Sequence, residues 1–349
     1  MIINGRKVGP DNPPYIVAEM SANHNGSIEN AFKIIDKAKA AGAHAIKLQT
    51  YRPDTITIDC KHEDFMISEG LWKGRSLYDL YDWAHTPWDW HKPLFQYARE
   101  EDITIFSTPF DASAVDLLEE LSAPAYKIAS FELTDLNLIE CVANTKKPMI
   151  MSTGMANLAE ISDAVEIARK SGCSQLALLH CVSAYPAPVK DCNLRVIADL
   201  AEKFGVVVGL SDHSVENSVA ISSVAMGASI IEKHFTLDRH GGGPDDSFSL
   251  EPIDLQILVE SSATAWEALG GVSYNQQESE KPNLKFRRSL YFVQNLKAGE
   301  LISSAHVRSI RPGFGLDPKN LNDIIGCVAA HDIEVGTAVS WEHIIETDC

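Results

Sequence analysis

Eight short runs of apolar and β-branched residues punctuate the chain: YIVAE (15–19), HAIKLQ (44–49), ITIFS (103–107), AYKIA (125–129), PMIMS (148–152), LALLHC (176–181), VVVGLS (206–211) and SIIEKH (229–234). Runs of this length suit strands buried on both faces of a parallel sheet. The segments between them carry helical spacing. In SIENAFKIIDKAKAAGA, Ser27 is placed to cap, apolar residues recur every third or fourth position, and Gly42 follows the end. Thr86-Pro87 reads as a second start, a cap followed by proline at the first helical position. Eight such units predict a (β/α)8 barrel. A doubly wound open sheet is the rival, but no GxGxxG follows the first run.

After the helical pattern SSATAWEALGG, the stretch VSYNQQESEKPN (272–283) is polar and turn-rich, so it reads as a linker. Beyond it the pattern changes to short strands and turns. The near-repeated phrases NLKAGELIS and DIEVGTAVS look like two equivalent turns of one compact β-rich module. The organisation expected is a barrel over 1–275, a linker over 276–285 and a small β-rich domain over 286–349.

Strand alternation then sorts the polar residues. It places Glu19, Lys47, Gln49, Ser211, His213, Glu232 and His234 on the inward face near one rim, with Lys127 and Ser130 from the fourth run. So many polar groups are costly in a barrel that binds nothing. Two lysines with the hydroxyls of Thr108, Ser130, Ser152, Ser183 and Ser211 suit a phosphate or carboxylate, although each hydroxyl equally suits capping the next helix. His213 and His234 end adjacent runs and can converge on a divalent ion. The glycine-rich GGGPDDSFSL (241–250) reads either as a mobile loop bringing Asp245 over the rim or as a solvated acidic turn.

Composition narrows the ligand. A net charge of −18 argues against nucleic-acid or anionic-membrane partners, since those need a basic stripe. Seven scattered cysteines without a CxxC pair fit a reducing compartment and read as buried apolar residues. With no apolar leader and no spanning stretch, a cytoplasmic location is expected.

The residues also resemble the N-acetylneuraminate synthase family. AEMSANHNGS, AIKLQTY, FSTPFD, AYKIAS with Glu132 two residues on, MSTGM, LLHCVSAYP, GLSDHS and EKHFTLDR occur in order, followed by RSLYF and SIRPGFG. The resemblance implies a barrel joined to an antifreeze-like (SAF) C-terminal domain, and a homodimer in which each small domain caps the partner's barrel. It assigns phosphoenolpyruvate to Lys47, Thr108, Lys127, Ser130, Ser152, Ser183 and Ser211; members often carry asparagine at the position of Ser183. It makes His213 and His234 ligands of a divalent metal, usually manganese, with magnesium or cobalt as alternatives. Glu19, Gln49, Glu132, Tyr185 and Asp245 fall around the sugar, with Glu19 the candidate for handling a proton or water, and Arg311 reaches the neighbouring subunit's sugar. Within the family, residues 63–91, with their GLW element, are most similar to pseudaminic acid synthases. That implies a 6-deoxy diacetamido sugar against which Trp72 and Tyr78 pack, whereas Trp83, Trp88 and Trp90 can simply seat a helix. The rivals are the same condensation on N-acetylmannosamine or the legionaminate precursor, a Schiff-base aldolase using Lys127, and a non-catalytic carbohydrate-binding protein.

Overall fold

The computed structural model describes residues 1–345. The chain divides into two compact units at Gly270 and Gly271. In the first, eight parallel strands close into a barrel: β1 (Tyr15–Glu19), β2 (Ala45–Thr50), β3 (Thr104–Pro109), β4 (Tyr126–Ile128), β5 (Met149–Ser152), β6 (Leu176–Cys181), β7 (Val207–Asp212) and β8 (Ile230–His234). Closure is made by β8, which pairs with both β7 and β1.

The alternation inferred from the sequence is the alternation that packs. Outward residues such as Ile16, Ile46, Leu48, Ile105, Met151, Leu178 and Leu210 are buried with the helices. Inward, Tyr15, Val17, Ala45, Phe106, Ile150, Leu179 and Ile230 form a second apolar layer with Ile3 and Val8. Ile3 lies in, and Val8 follows, a hairpin of Ile2–Ile3 with Arg6–Lys7 that the sequence pattern does not announce. One strand step beyond that layer, the lumen turns polar.

The first helix, Ile28–Ala40, forms as its sequence dictates. Ser27 Oγ accepts from Asn30 N at 3.2 Å, and Ala31, Ile34, Ile35 and Ala38 bury one face. Thr86 is a correction. Its hydroxyl pairs with His24 Nε2 at 3.4 Å instead of capping, and Pro87 leads into a single 3-10 turn, Trp88–Trp90, before the helix His91–Glu100. Tertiary burial of Thr86 outcompetes the local capping signal.

The second unit opens with a 3-10 helix, Glu278–Phe286, where a polar linker was expected. It continues with two short antiparallel pairs: β9 (Ser289–Phe292) with β10 (Val307–Ile310), and β11 (Val328–Ala329) with β12 (Ile344–Ile345). The two repeated phrases are structurally equivalent at an offset of 37 residues. Gly299 N donates to Ala329 O as Gly336 N donates to Phe292 O, and Ser303 N donates to His306 Nδ1 as Ser340 N donates to His343 Nδ1.

Cysteine burial is less uniform than expected. Cys173, Cys181 and Cys192 are buried, Cys60, Cys141 and Cys327 are half-buried, and Cys349 lies outside the described residues. No helix among the described residues is long and apolar enough to cross a membrane.

Candidate active site

At the C-terminal ends of the strands, four charged side chains converge in a well of about 50 Å³. Lys47 Nζ lies 2.8 Å from Glu19 Oε2 and 3.5 Å from Glu232 Oε1; Lys127 Nζ lies 3.6 Å from the same Glu232 oxygen. All four are buried, so each depends on the others for its charge. Burial pushes the Glu19 carboxyl up against the pull of Lys47. Burial and then Lys47 hold Lys127 below the usual lysine range despite Glu232. Burial works against the charge of Glu232, yet the two lysines hold it below the ordinary carboxylate range.

Hydroxyls ring this cluster. Thr108 Oγ1 accepts from Lys47 Nζ at 3.1 Å, and Ser211 Oγ donates to Glu232 at 3.1 Å. Gly154 N donates to Ser130 Oγ at 3.1 Å. A Cβ at Gly154 would sit 2.3 Å from Ser183 Oγ and 2.7 Å from Ser130 Oγ, so glycine is what lets the backbone close against both serines. Ser152 Oγ is buried without a hydrogen-bond partner. Three hydroxyls and a backbone amide thus crowd one side of the well, beside two ammonium groups. The following helices are capped instead by residues such as Asp111, Asp135 and Asn157.

His213 and His234 stand together, ring centroids 5.4 Å apart. His213 Nδ1 is 3.0 Å from Val182 O, which assigns the proton to Nδ1 and leaves Nε2 as the lone-pair nitrogen. Burial holds His234 neutral, well below the ordinary histidine range; its Nδ1 has no hydrogen-bond partner. Two buried imidazoles with lone pairs to offer fit a divalent ion completed by substrate and water. No preformed group of three or more metal-type side chains occurs among the described residues.

An outer chamber of about 340 Å³ adjoins the well, sharing Gln49, Phe131, Tyr185 and His234 with it. Its wall includes Tyr51, Trp72, Leu80, Tyr81 and Phe110. Trp72 Nε1 donates to Pro244 O at 3.1 Å and its ring lies 5.8 Å from that of Tyr185, which packs tilted on His213 with ring centroids 4.4 Å apart. Tyr78 is a correction. The helix Leu77–Ala84 turns Leu80, Tyr81 and Ala84 to the chamber, so Tyr81 supplies the second ring. Of the other tryptophans, Trp90 packs on the barrel core, Trp83 stacks under Arg75 and Trp88 under Arg52.

The loop over the chamber is neither a solvated turn nor loose. Asp246 Oδ2 accepts from Asn25 Nδ2 at 2.9 Å and Gly243 N at 2.7 Å, and Asp246 Oδ1 accepts from Thr236 Oγ1 at 2.5 Å. Asp245 is buried, with Oδ2 at 2.5 Å from Ser21 Oγ and 3.7 Å from His234 Nδ1. A Cβ at Gly243 would lie 1.8 Å from Asn25 Oδ1, so the glycine serves close packing, not mobility.

Glu132 faces the outer chamber, and burial pushes its carboxyl up to about 7 against the pull of Lys127. A raised acid favours the folded state most at low pH, and that contribution is lost as pH rises through 7. Glu132→Gln removes the titration, so the variant gains over wild type at pH 8 by at most about 3 kcal/mol, and the gain shrinks toward pH 5. Thermal unfolding at the two pH values checks this; a difference that ignores pH would contradict it.

The structure therefore gathers Glu19, Lys47, Gln49, Thr108, Lys127, Ser130, Glu132, Ser152, Tyr185, Ser211, His213, His234 and Asp245 around one cavity system, with Ser183 behind Gly154. Arg311 lies in the second unit, exposed in the bend that follows β10. The sequence reading gave no site role to Cys181, whose Sγ is 3.8 Å from His213 Nδ1, or to Ser21, Tyr51, Tyr81 and Phe131. Glu232 was placed on the rim but given no role. Its inward position on β8 was the available signal.

Residues 34–274 match the NeuB family and residues 287–345 match the SAF domain. The chain belongs to the NeuB family. It is an enzyme of that family, with a NeuB barrel followed by a SAF unit. It is 44% identical over 329 residues to the pseudaminic acid synthase of Campylobacter jejuni subsp. jejuni serotype O:23/36 (strain 81-176), covering 94% of this chain and 96% of that one. It is 41% identical over 334 residues to the pseudaminic acid synthase of Helicobacter pylori (strain ATCC 700392 / 26695), covering 95% and 98%. Among solved structures, the N-acetylneuraminic acid (sialic acid) synthetase of Leptospira borgpetersenii serovar Hardjo-bovis, in complex with citrate, is similar at a TM-score of 0.73 and 33% identity, over 82% of this chain and 95% of that one.

Proposed function

We propose that this NeuB-family enzyme is a pseudaminic acid synthase. It condenses phosphoenolpyruvate with 2,4-diacetamido-2,4,6-trideoxy-β-L-altropyranose and water, giving pseudaminate and phosphate. The observation that carries this reading is the pairing of a lysine- and hydroxyl-lined well with an aromatic chamber above it. The well suits a small phosphorylated carboxylate. The chamber suits a sugar that presents methyl and acetamido surface where others present hydroxyls, with Trp72, Tyr81 and Phe131 against it. The names of the similar relatives point to the same sugar.

Charge decides how the well works. The formal charges of Glu19, Lys47, Lys127 and Glu232 cancel, so an anionic substrate arrives without net compensation from the protein. A divalent ion held by His213 and His234, for which manganese is our choice over magnesium and cobalt, supplies that charge and Lewis-acid polarisation of the sugar aldehyde when bound. Lys47 and Lys127 hold the phosphate and carboxylate, while Ser130, Ser152 and Ser183, and Ser211 once it turns from Glu232, donate to the remaining oxygens and Thr108 orients Lys47. With the open-chain aldehyde lying over C3 of phosphoenolpyruvate, a C–C bond forms and positive charge develops at C2. Water adds at C2, its proton passing to Glu19, and the phosphate leaves by C–O cleavage to give the 2-keto acid. The aldehyde oxygen takes up a proton to become a hydroxyl. Gln49, Glu132, Tyr185 and Asp245 hold the sugar.

Exposed apolar side chains crown the loops after β4 to β7, including Phe131, Met155, Leu158, Val189 and Val215. A second copy of the chain, bringing Arg311 from its C-terminal unit, is the occupant we assign to them. Lys127 is also buried with a lowered pKa, as a Schiff-base lysine requires. Borohydride with pyruvate separates the readings: the synthase leaves Lys127 unmodified and releases phosphate from phosphoenolpyruvate, whereas trapped pyruvate on Lys127 would establish an aldolase.

A further inference from the structure

Ser21 occupies the turn after β1, closed by Asn23 N donating to Met20 O at 3.0 Å, and it does so at φ 46°. That is the left-handed region, where glycine is at ease and serine is not. A serine held there is worth a functional question. Its side chain is buried and fully engaged in one direction. The hydroxyl donates to Asp245 Oδ2 at 2.5 Å and accepts from Gln49 Nε2 at 2.9 Å. The same Gln49 nitrogen donates to Glu19 Oε1 at 2.9 Å.

With Asp245 ionised, its carboxylate can only accept, so the serine proton belongs to Asp245. Both amide protons of Gln49 are then spent, on Ser21 and on Glu19. Its Oε1 remains an acceptor, and Gln49 lines both the well and the outer chamber. One hydroxyl thus links the carboxylate beside His234 to the carboxylate beside Lys47 and fixes which atom of Gln49 meets the substrate.

We propose that Ser21 is a positioning residue for the sugar. It aligns Asp245 and, through Gln49, Glu19, and it presents Gln49 Oε1 as the acceptor for a sugar N–H or O–H. The kinetic part of this rests on reading the outer chamber as the sugar site. A contact held in one orientation before substrate arrives lowers the cost of ordering it, and displacement by even an ångström is expensive.

Ser21→Gly separates this role from a structural one, because glycine relaxes the backbone while deleting the hydroxyl. The melting temperature of the variant should lie above that of Ser21→Ala, because glycine relieves the positive φ that alanine keeps while both lose the buried bonds to Asp245 and Gln49. Its kcat/KM for the diacetamido sugar should fall about tenfold or more, with KM for phosphoenolpyruvate unchanged within twofold. Ser21→Ala should share the kinetic loss. Amide hydrogen exchange across 241–249 provides a readout that needs no turnover, and it should quicken several-fold in both variants. If wild type turns over no sugar, the reading of the site fails, and the exchange data alone judge Ser21. Retention of kcat/KM within twofold in Ser21→Gly, or unchanged exchange in the loop, overturns the proposal.

Discussion

Lys127→Met should release phosphate from phosphoenolpyruvate at least about 10³-fold more slowly than wild type, while remaining folded. The ammonium group of Lys127 is buried, donates to Ile128 O at 3.3 Å and stands 3.6 Å from Glu232 Oε1, which leaves its charge open to a ligand. Its carboxylate neighbour, Glu232, keeps Lys47 and Ser211 after the substitution and is not stranded. Methionine fills nearly the same volume without a charge, so the barrel loses a cation but gains no cavity. The loss should appear both as a raised KM for phosphoenolpyruvate and as a lowered kcat, because the same group holds the ground-state phosphate and the charge that develops as it leaves. Steady-state phosphate release at saturating sugar measures both. A variant within tenfold of wild type would remove Lys127 from the site as we read it.

His234→Ala carries the other large effect. Burial keeps this imidazole neutral and its Nδ1 has no hydrogen-bond partner, so its removal strands no hydrogen-bonded group and the cost to stability is that of the cavity left beside Tyr185 and Phe248. Activity at saturating manganese should nonetheless fall about 10³-fold, a loss of several kcal/mol of transition-state stabilisation. Equilibrium dialysis should find manganese bound to wild type and lost from the variant. A chelator should inactivate wild type reversibly. Full activity after exhaustive chelation would contradict the assignment of His213 and His234 as ligands.

Much of this architecture was legible beforehand because it is periodic. A strand period of two places Glu19, Lys47, Lys127, Ser211, Glu232 and His234 inside the barrel, and the structure has them there. The phrases that repeat near residues 295 and 332 are likewise one turn used twice. What escaped is aperiodic. Ser21 meets Asp245 across 224 residues of chain, and no local spacing encodes that pairing. Tyr78 and Tyr81 sit on one short helix, and its rotation, set by burial of Leu80, decides which ring lines the chamber. Thr86-Pro87 carries a genuine capping signal, but burial against His24 takes the hydroxyl first. The glycine-rich loop reads as mobile from composition alone, whereas Asn25 and Thr236 pin Asp246 beneath it. Glycine marks close approach there, and composition cannot distinguish the two uses.

The central claim is the pairing of phosphoenolpyruvate with the altrose-configured diacetamido sugar. Phosphate release should be followed with phosphoenolpyruvate carrying ¹⁸O at the bridging oxygen, against that sugar, N-acetylmannosamine and the legionaminate precursor, with manganese present and absent. Manganese-dependent turnover with the diacetamido altrose sugar should exceed either competitor at least about tenfold in kcat/KM, with the label leaving in phosphate. Robust turnover with N-acetylmannosamine and none with the altrose sugar would contradict it.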